Sequence, residues 1–398
     1  MYLKKLTLEK YRSYENLTLD LTPGVTTFLG RNGVGKTNIV EAILYLTYLS
    51  SHRTSDDFAL IKLGAQSAYI RAIAAHQDRD IELDLEINDK KANRALINKQ
   101  ATRSQKNIFG VVQAIYFSPE DLDLVRGDPG ERRRFLDQMM VLSSPRMAGV
   151  ISDYERALKQ RNNILKARSS RDLLQPWSEH VATFGGEIIA QRLTLLNELK
   201  PLFQETYREI SDEKNASFEY QSKIPHPTTN KEENIQTLLN EFKERERAEY
   251  ERGVSLVGPH RDNLHLTLGD FPVQGYASHG ESWSIALSLK LATYKLLKGK
   301  GVEPILILDD VFAELDATRR EHITDLISSA QQTFISVADQ KDIPSQLNTT
   351  IYNVTSGQVS LIKPQLHNEK PQQEIINKAE KMNVLTEATS EENESDEK

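Results

Sequence analysis

Gly30-Arg31-Asn32-Gly33-Val34-Gly35-Lys36-Thr37 fits the spacing GxxxxGK[ST], in which glycines let backbone N–H groups converge on a phosphate. In such a loop the lysine neutralises the outer phosphates of a nucleoside triphosphate and the threonine hydroxyl ligates Mg²⁺. Residues 30–37 therefore point to a nucleoside triphosphate and Mg²⁺. A magnesium-dependent site needs a second strand that delivers a carboxylate. Ile305-Leu306-Ile307-Leu308 supplies four apolar residues for a buried strand, and it runs straight into Asp309 and Asp310. Asp309 is the candidate for the metal, and Asp310 is placed to hold the attacking water, with Lys36 as the second catalytic candidate. A third group lies upstream: Ser278-His279-Gly280-Glu281 opens a good helical stretch from Ser282 to Lys295. A serine hydroxyl, a glycine N–H and a helix N-terminus together make an anion site. The 30–37 loop already holds its own phosphates, so a second anion site on the same chain suggests two copies sharing each nucleotide.

These residues need elements to hold them. Val25–Leu29 reads as a buried strand and Asn38–Leu46 as a helix that starts at the loop, so the helix N-terminus points at the phosphates. The first 120 or so residues alternate turns with strand-like runs, and the period-two pattern of IELDLEI, Ile81–Ile87, predicts a half-exposed antiparallel strand. From Pro129 to about Gly253 the texture becomes helical, with long stretches around Arg146–Ser170, Trp177–Phe203 and a charged run ending at Arg252. Strand patterns return in VSLVGP (Val254–Pro259), LHLTLGD (Leu264–Asp270) and EPILILDD (Glu303–Asp310). The Ile305–Leu308 strand must rejoin a sheet, so the simplest arrangement is an α/β P-loop NTPase head with a mixed sheet built from both ends of the chain. The expected boundaries are 1–125 and 250–364 for the head, 126–249 for an inserted, mostly helical lobe, and 365–398 for a tail.

Composition narrows the class further. At 398 residues with 38% apolar content the chain can bury two or three cores. It has no long uncharged apolar run and no apolar signal core at its N-terminus, so a membrane partner is not expected and a cytoplasmic location is. Zero cysteines exclude disulfides, thiolate metal sites and cysteine nucleophiles. The net charge of −7 argues against a nucleic-acid partner until its placement is considered. Gln365–Lys398 carries nine acidic and four basic residues, supplies −5 of the −7, and reads as disordered. The rest is nearly neutral and can carry a local basic face. Between Arg146 and Arg171 seven basic residues face two acidic ones, so Lys159, Arg161, Lys166, Arg168 and Arg171 could form a phosphate-facing stripe, or simply the solvated face of a long helix.

The order of the motifs carries a resemblance. A P-loop, then SHGE before a helix, then a hydrophobic strand ending in two acids, then Ala313-Glu314-Leu315-Asp316 is similar to the ABC-type ATPase heads of structural-maintenance-of-chromosomes proteins and their relatives. There SHGE stands for the signature motif, ILILDD for Walker B and AELD for the D-loop. Finer features resemble the RecF family of bacterial recombination mediators: Leu6–Asn16 (LTLEKYRSYEN), Tyr48–Ile61 (YLSSHRTSDDFALI), Phe117–Asp137, Tyr154–Leu165 and Leu256–Leu264 (LVGPHRDNL). The resemblance covers roughly residues 1–363 and implies a DNA gap-repair protein that binds ATP and Mg²⁺. It implies a dimer that forms on ATP, engages single-strand/double-strand junctions and duplex beside gaps, and with RecR and RecO helps load RecA recombinase. Carried over by motif, Gly30–Thr37 bind ATP, Thr37 and Asp309 hold the metal, Ser278 and Gly280 touch the γ-phosphate held by a partner copy, and Asp316 lines the seam. Arg12 is either a nucleotide contact or a surface arginine in a turn.

Departures from the pattern set further expectations. Asp310 replaces the usual glutamate and is one methylene shorter, which implies slow hydrolysis; together with the resemblance this gives the expectation of a weak DNA-stimulated ATPase acting as a switch. The strand Phe334–Val337 ends without the switch histidine, and either Gln113 or the Ser118–Asp121 stretch fills the Q-loop position. In GPHRDNL, Asn263 stands where a second aspartate is usual, and the motif has no assigned step. Competing readings are an ATPase subunit of another complex, such as a transporter, a long coiled-coil chromosome organiser, and a scaffold that binds ATP without hydrolysing it.

Overall fold

In the computed structural model, described for residues 1–54, 56–76, 79–211 and 215–362, the two ends of the chain meet in one sheet. In chain order the first elements are β1 (Tyr2–Tyr11), β2 (Tyr14–Asp20), β3 (Gly24–Leu29), α1 (Lys36–Tyr48), β4 (Ser67–His76), β5 (Arg79–Asn88), β6 (Arg94–Ile97), β7 (Gln100–Ala101) and β8 (Ala114–Phe117). Helices follow: α2 (Leu122–Arg126), α3 (Pro129–Ser143), α4 (Met147–Lys166) and α5 (Arg171–Ile210). Then come β9 (Ala216–Gln221), α6 (Lys231–Arg252), β10 (Asn263–Leu268) and β11 (Phe271–Pro272). The chain returns through α7 (His279–Gly299), β12 (Ile305–Asp309), α8 (Ala317–Ser329), β13 (Gln332–Val337), β14 (Thr349–Thr355) and β15 (Gln358–Ile362).

One six-stranded sheet has the order β15-β14-β3-β13-β12-β8, parallel wherever β14, β3, β13, β12 and β8 pair. It places β3, which feeds the P-loop, two strands from β12, which ends in Asp309. Its central strands are buried on both faces, as a parallel sheet between helices requires. Ile305 and Ile307 pack with α1, whereas Leu306 and Leu308 pack with α7 and α8 residues such as Leu287, Leu291 and Ile323. A second six-stranded sheet, β2-β1-β4-β5-β6-β7, is antiparallel and covers the other side of α1. In β5, Leu83, Leu85 and Ile87 are buried and alternate with half-exposed acidic residues, as the period-two pattern predicts.

The intervening segment is mostly helical, with α5 running 40 residues past two internal prolines, Pro176 and Pro201. Helix α7 is apolar nearly all round, and the reason is geometric. Trp283, Leu287, Leu291 and Tyr294 face the parallel sheet, while Ile285, Ala286, Leu289, Ala292 and Leu296 face the core of the helical segment. The helix that starts at SHGE is therefore clamped between sheet and lobe. Residues Met1–Leu361 form one compact unit.

Two local expectations fail. Val254–Pro259 is not a strand: Ser255 and its neighbours serve buried side chains, with Ser255 N–H donating to Asn162 Oδ1 at 2.8 Å and Leu256 N–H to Glu249 Oε1 at 2.7 Å. The helical stretch also hides β9, which pairs antiparallel with β10 in a small three-stranded sheet. The tail expected at 365–398 lies outside the described residues.

Candidate functional site

The loop from Gly30 to Thr37 is shaped by its glycines. Gly33 and Gly35 have φ of 82° and 116°, a left-handed backbone that side chains resist. Gly30 is constrained by space: a Cβ there would lie 2.3 Å from the Val354 carbonyl oxygen of β14. Gly35 would meet the Tyr14 hydroxyl at 2.8 Å, and that hydroxyl donates to the Gly35 carbonyl at 3.0 Å, so the β1–β2 turn holds the loop from behind.

α1 differs from the helices that start at Arg171, Lys231, His279 and Ala317. Each of those is capped by an N-cap side chain, whereas α1 begins on Gly35 with no side-chain cap and no acid in its first turn. Its free N–H groups and positive dipole end suit an anion. Lys36 is 3% exposed, and its ammonium donates to the Gly30 carbonyl at 2.8 Å and to Asn32 Oδ1 at 3.2 Å, within the loop it would serve. Arg31, Asn32 and Gly33 are exposed, and Val34 is half-buried. A triphosphate fits this cradle.

The two acids of β12 arrive beside the loop. Thr37 Oγ1 donates to Asp309 Oδ1 at 3.4 Å, and the Ser336 hydroxyl donates to the same oxygen, so residues 272 positions apart form one pair suited to Mg²⁺. Asp310 has a left-handed φ of 52°, and its carboxylate lies 4.0 Å from the Lys36 ammonium. Burial pushes the Asp310 carboxyl up, Lys36 opposes this and Asp309 adds to it. A non-glycine residue held left-handed beside a cradle is strain of the kind found at functional sites.

A second cluster joins SHGE to AELD. Ser278 caps α7: its side chain accepts from Glu281 N–H at 3.2 Å, while Glu281 Oε2 accepts from Ser278 N–H at 2.8 Å. Among the described residues no acceptor takes the Ser278 hydroxyl proton, and Ser278 and Asp316 are both exposed. Asp316 caps α8 by accepting from Arg319 N–H at 3.0 Å. The side chain of Arg319 binds Asp316 Oδ2, the Gly280 carbonyl at 3.0 Å and Ser284 Oγ at 3.0 Å, fixing one motif to the other. Sequence reasoning missed Arg319. Its position three residues after an N-capping aspartate is a readable signal for the first contact but not for the other two.

Arg12 is not a free surface arginine. Its guanidinium binds Glu41 of α1 through Nε at 2.8 Å and Nη2 at 2.6 Å, and donates to the Ala59 carbonyl at 2.7 Å. Glu41 is fully buried and also accepts from Ser51 at 2.5 Å, so Arg12 and Glu41 tie the β1–β2 turn, Ser51 and Ala59 to the P-loop helix. Gln113 donates to the Leu142 carbonyl at 2.8 Å, away from the acids. The Ser118–Asp121 stretch is closer in charge: burial and then Asp309 push the Glu120 carboxyl up.

The basic stripe needs one correction. Lys159, Lys166, Arg168 and Arg171 are exposed, Arg171 pairing with Glu246 at 2.6 Å. Arg161 is 1% exposed and saturated by Glu249 at 2.6 Å, Ser255 at 2.7 Å and Ser178 at 3.0 Å. It cannot face phosphate.

GPHRDNL proves to be a buried junction with the Arg132–Asp137 stretch. Asp262 is fully buried and accepts from the Tyr220 hydroxyl, the Ser222 hydroxyl and Lys223 N–H. Asn263 Oδ1 accepts from Arg132 Nε at 2.9 Å, a role its amide oxygen fills without the charge of an aspartate. His260 is hydrogen-bonded to Tyr154 at 2.6 Å, and burial pushes its pKa down to about 4.

Comparison with known proteins places this geometry. Residues 2–362 match the RecF/RecN/SMC N terminal domain family. The DNA replication and repair protein RecF of Streptomyces avermitilis is 46% identical over 373 residues, covering 91% of this chain and all of that protein. That of Rhodococcus erythropolis is 42% identical over 400 residues, covering 92% and 97%. A solved structure of the recombination mediator RecF-ATP in the RecFOR pathway superposes with a TM-score of 0.83 at 25% identity, covering 91% and 98% of the two chains. An Smc head domain from Pyrococcus furiosus, at 16% identity and a TM-score of 0.55, shares the fold. With an ABC-type head, a P-loop beside two acids and relatives matched along nearly their whole length, this chain belongs to the RecF family.

Proposed function

We propose that the chain is an ATP-gated DNA-binding protein of recombinational repair and replication restart, which dimerises on ATP and, with RecR and RecO, helps load RecA at single-strand gaps. One observation carries the nucleotide half of this reading: Thr37 and Asp309 share a hydrogen bond at the mouth of a glycine cradle whose helix has no side-chain cap. Thr37 and Asp309 would hold Mg²⁺. Lys36 would exchange its carbonyl partners for phosphate oxygens, and Arg31–Gly35 would supply backbone N–H donors. Bound Mg·ATP supplies an outer phosphate whose negative charge can be read from a second side. The exposed Ser278 hydroxyl, the Gly280 backbone and the α7 N-terminus of a partner copy are suited to read it, and Arg319 keeps Asp316 in register at the same face.

Asp310 is the group for holding water. Its short carboxylate, 4.0 Å from the Lys36 ammonium, is the basis for slow hydrolysis that releases the dimer rather than drives work. The head is assigned to 1–125 and 250–364, and the lobe to 126–249. Lys159 and Lys166, seven residues apart on α4, together with Arg168 and Arg171, are the assigned phosphate contacts for duplex beside a gap. The test is nucleotide and gapped-DNA binding by the whole chain and by Lys36→Ala. The proposal expects that variant to lose both ATP binding and ATP-dependent DNA binding; full ATP binding without Lys36 would contradict it.

A further inference from the structure

Tyr116, on β8, lies between the P-loop helix and the end of β12, and its hydroxyl donates to Asp309 Oδ2 at 3.2 Å. The other Asp309 oxygen is engaged by Thr37 and Ser336, so Tyr116 is what restrains the second oxygen. The tyrosine is itself fixed at both ends. Lys290 of α7 donates to its carbonyl at 2.9 Å while pairing with Asp121 at 2.9 Å. Its hydroxyl lies 3.2 Å from Nε2 of His52, whose ring sits 4.7 Å from the phenol.

The direction of this chain of bonds follows from an orphaned atom. Among the described residues, His52 Nδ1 is buried without a partner. A bare nitrogen tolerates that better than a buried N–H donor does, so the proton belongs on Nε2. His52 then donates to the Tyr116 oxygen, and Tyr116 spends its single proton on Asp309. His52 is held in turn by its chain neighbours, since Ser51 binds Glu41 at 2.5 Å and Arg53 donates to Asn38 at 3.2 Å, both on α1.

We propose that Tyr116, oriented by His52, is the positioning residue that aims the Asp309 carboxylate at the nucleotide's magnesium ion, so that the loop after the P-loop helix sets metal affinity rather than nucleotide affinity. This rests on the reading of Asp309 as the metal-side carboxylate. Partners that orient a ligating carboxylate typically change metal affinity by about 10- to 100-fold when removed. Neither residue touches the cradle's N–H donors or Lys36, so binding of nucleotide without metal is untouched.

The test titrates Mg²⁺ against a fluorescent ATP analogue bound to the full chain, and repeats the binding in EDTA. Tyr116→Phe removes one hydroxyl and keeps the ring. The proposal expects the Mg²⁺ midpoint to rise about tenfold in Tyr116→Phe and in His52→Ala, with EDTA affinity unchanged and with His52→Gln, which retains an N–H donor, recovering part of the loss. A Tyr116→Phe midpoint equal to wild type, or an equal loss of affinity in EDTA, overturns it. Wild-type binding that ignores Mg²⁺ would instead remove Asp309 from the metal site and with it the underlying reading.

Discussion

Replacing Arg161 with methionine removes a guanidinium that is 1% exposed and leaves the carboxylate of Glu249, fully buried, without its cation. Methionine keeps most of the stem volume over the Phe242 ring, where the guanidinium carbon sits 4.1 Å from the centroid, so the cavity term is small. Ser178 retains the Leu174 carbonyl and Ser255 retains Asn162, so neither hydroxyl is stranded. What remains is the unpaired charge. Glu249 keeps the Leu256 N–H at 2.7 Å but loses its cation, a situation that costs about 3–5 kcal/mol. Denaturant unfolding of the whole chain should show that loss at an unchanged m value. Adding Glu249→Gln should return more than about 1 kcal/mol, because the stranded charge is gone. DNA affinity of the folded fraction should stay at wild type. Arg161→Met within about 1 kcal/mol of wild-type stability, but with weakened DNA binding, would refute the reasoning and restore Arg161 to the phosphate-facing stripe.

Other variants probe separate parts. Gly30→Ala drives a methyl into the Val354 carbonyl and should destabilise the head by about 1–3 kcal/mol in the same unfolding assay, abolishing ATP binding as the loop shifts. Arg319→Ala should leave ATP binding by the monomer intact and weaken ATP-dependent self-association about tenfold in sedimentation, because Gly280 and Asp316 lose their common tie. His260, lowered by burial to about 4, stays neutral when folded and takes up a proton near pH 6.5 when unfolded. Its contribution is therefore present above pH 6.5 and lost as pH falls towards 4, by about 3 kcal/mol in all. His260→Gln should flatten the stability slope in that window by about one proton, measured as unfolding free energy against pH.

Contiguous motifs with a fixed spacing were readable from the chain alone. The cradle, the four-residue apolar strand with its two acids and the SHGE helix each carry their chemistry within about ten residues, and the parallel sheet joins the first two as the apolar runs require. The half-exposed β5 was readable for the same reason, since period two is local. Arg161 was not. Its partner Glu249 lies 88 positions away, and charge counting along a helix cannot tell an inward arginine from an outward one. Tyr116 reads as an ordinary strand residue, because only the register of β8 beside β12 brings its hydroxyl to Asp309. Val254–Pro259 looks like a strand, but its backbone donors are taken by Asn162 and Glu249, which no pattern near it announces.

The central claim is that one nucleotide is gripped by the P-loop of one copy and the Ser278 face of another. Sedimentation of the full chain and of Ser278→Arg, each at a concentration saturated with Mg·ATP, tests it most directly. The account predicts that wild type moves from monomer to dimer when ATP is added, while Ser278→Arg binds the same ATP and stays monomeric. Dimers of Ser278→Arg equal to those of wild type, or a wild-type chain that remains single with ATP bound, would contradict it.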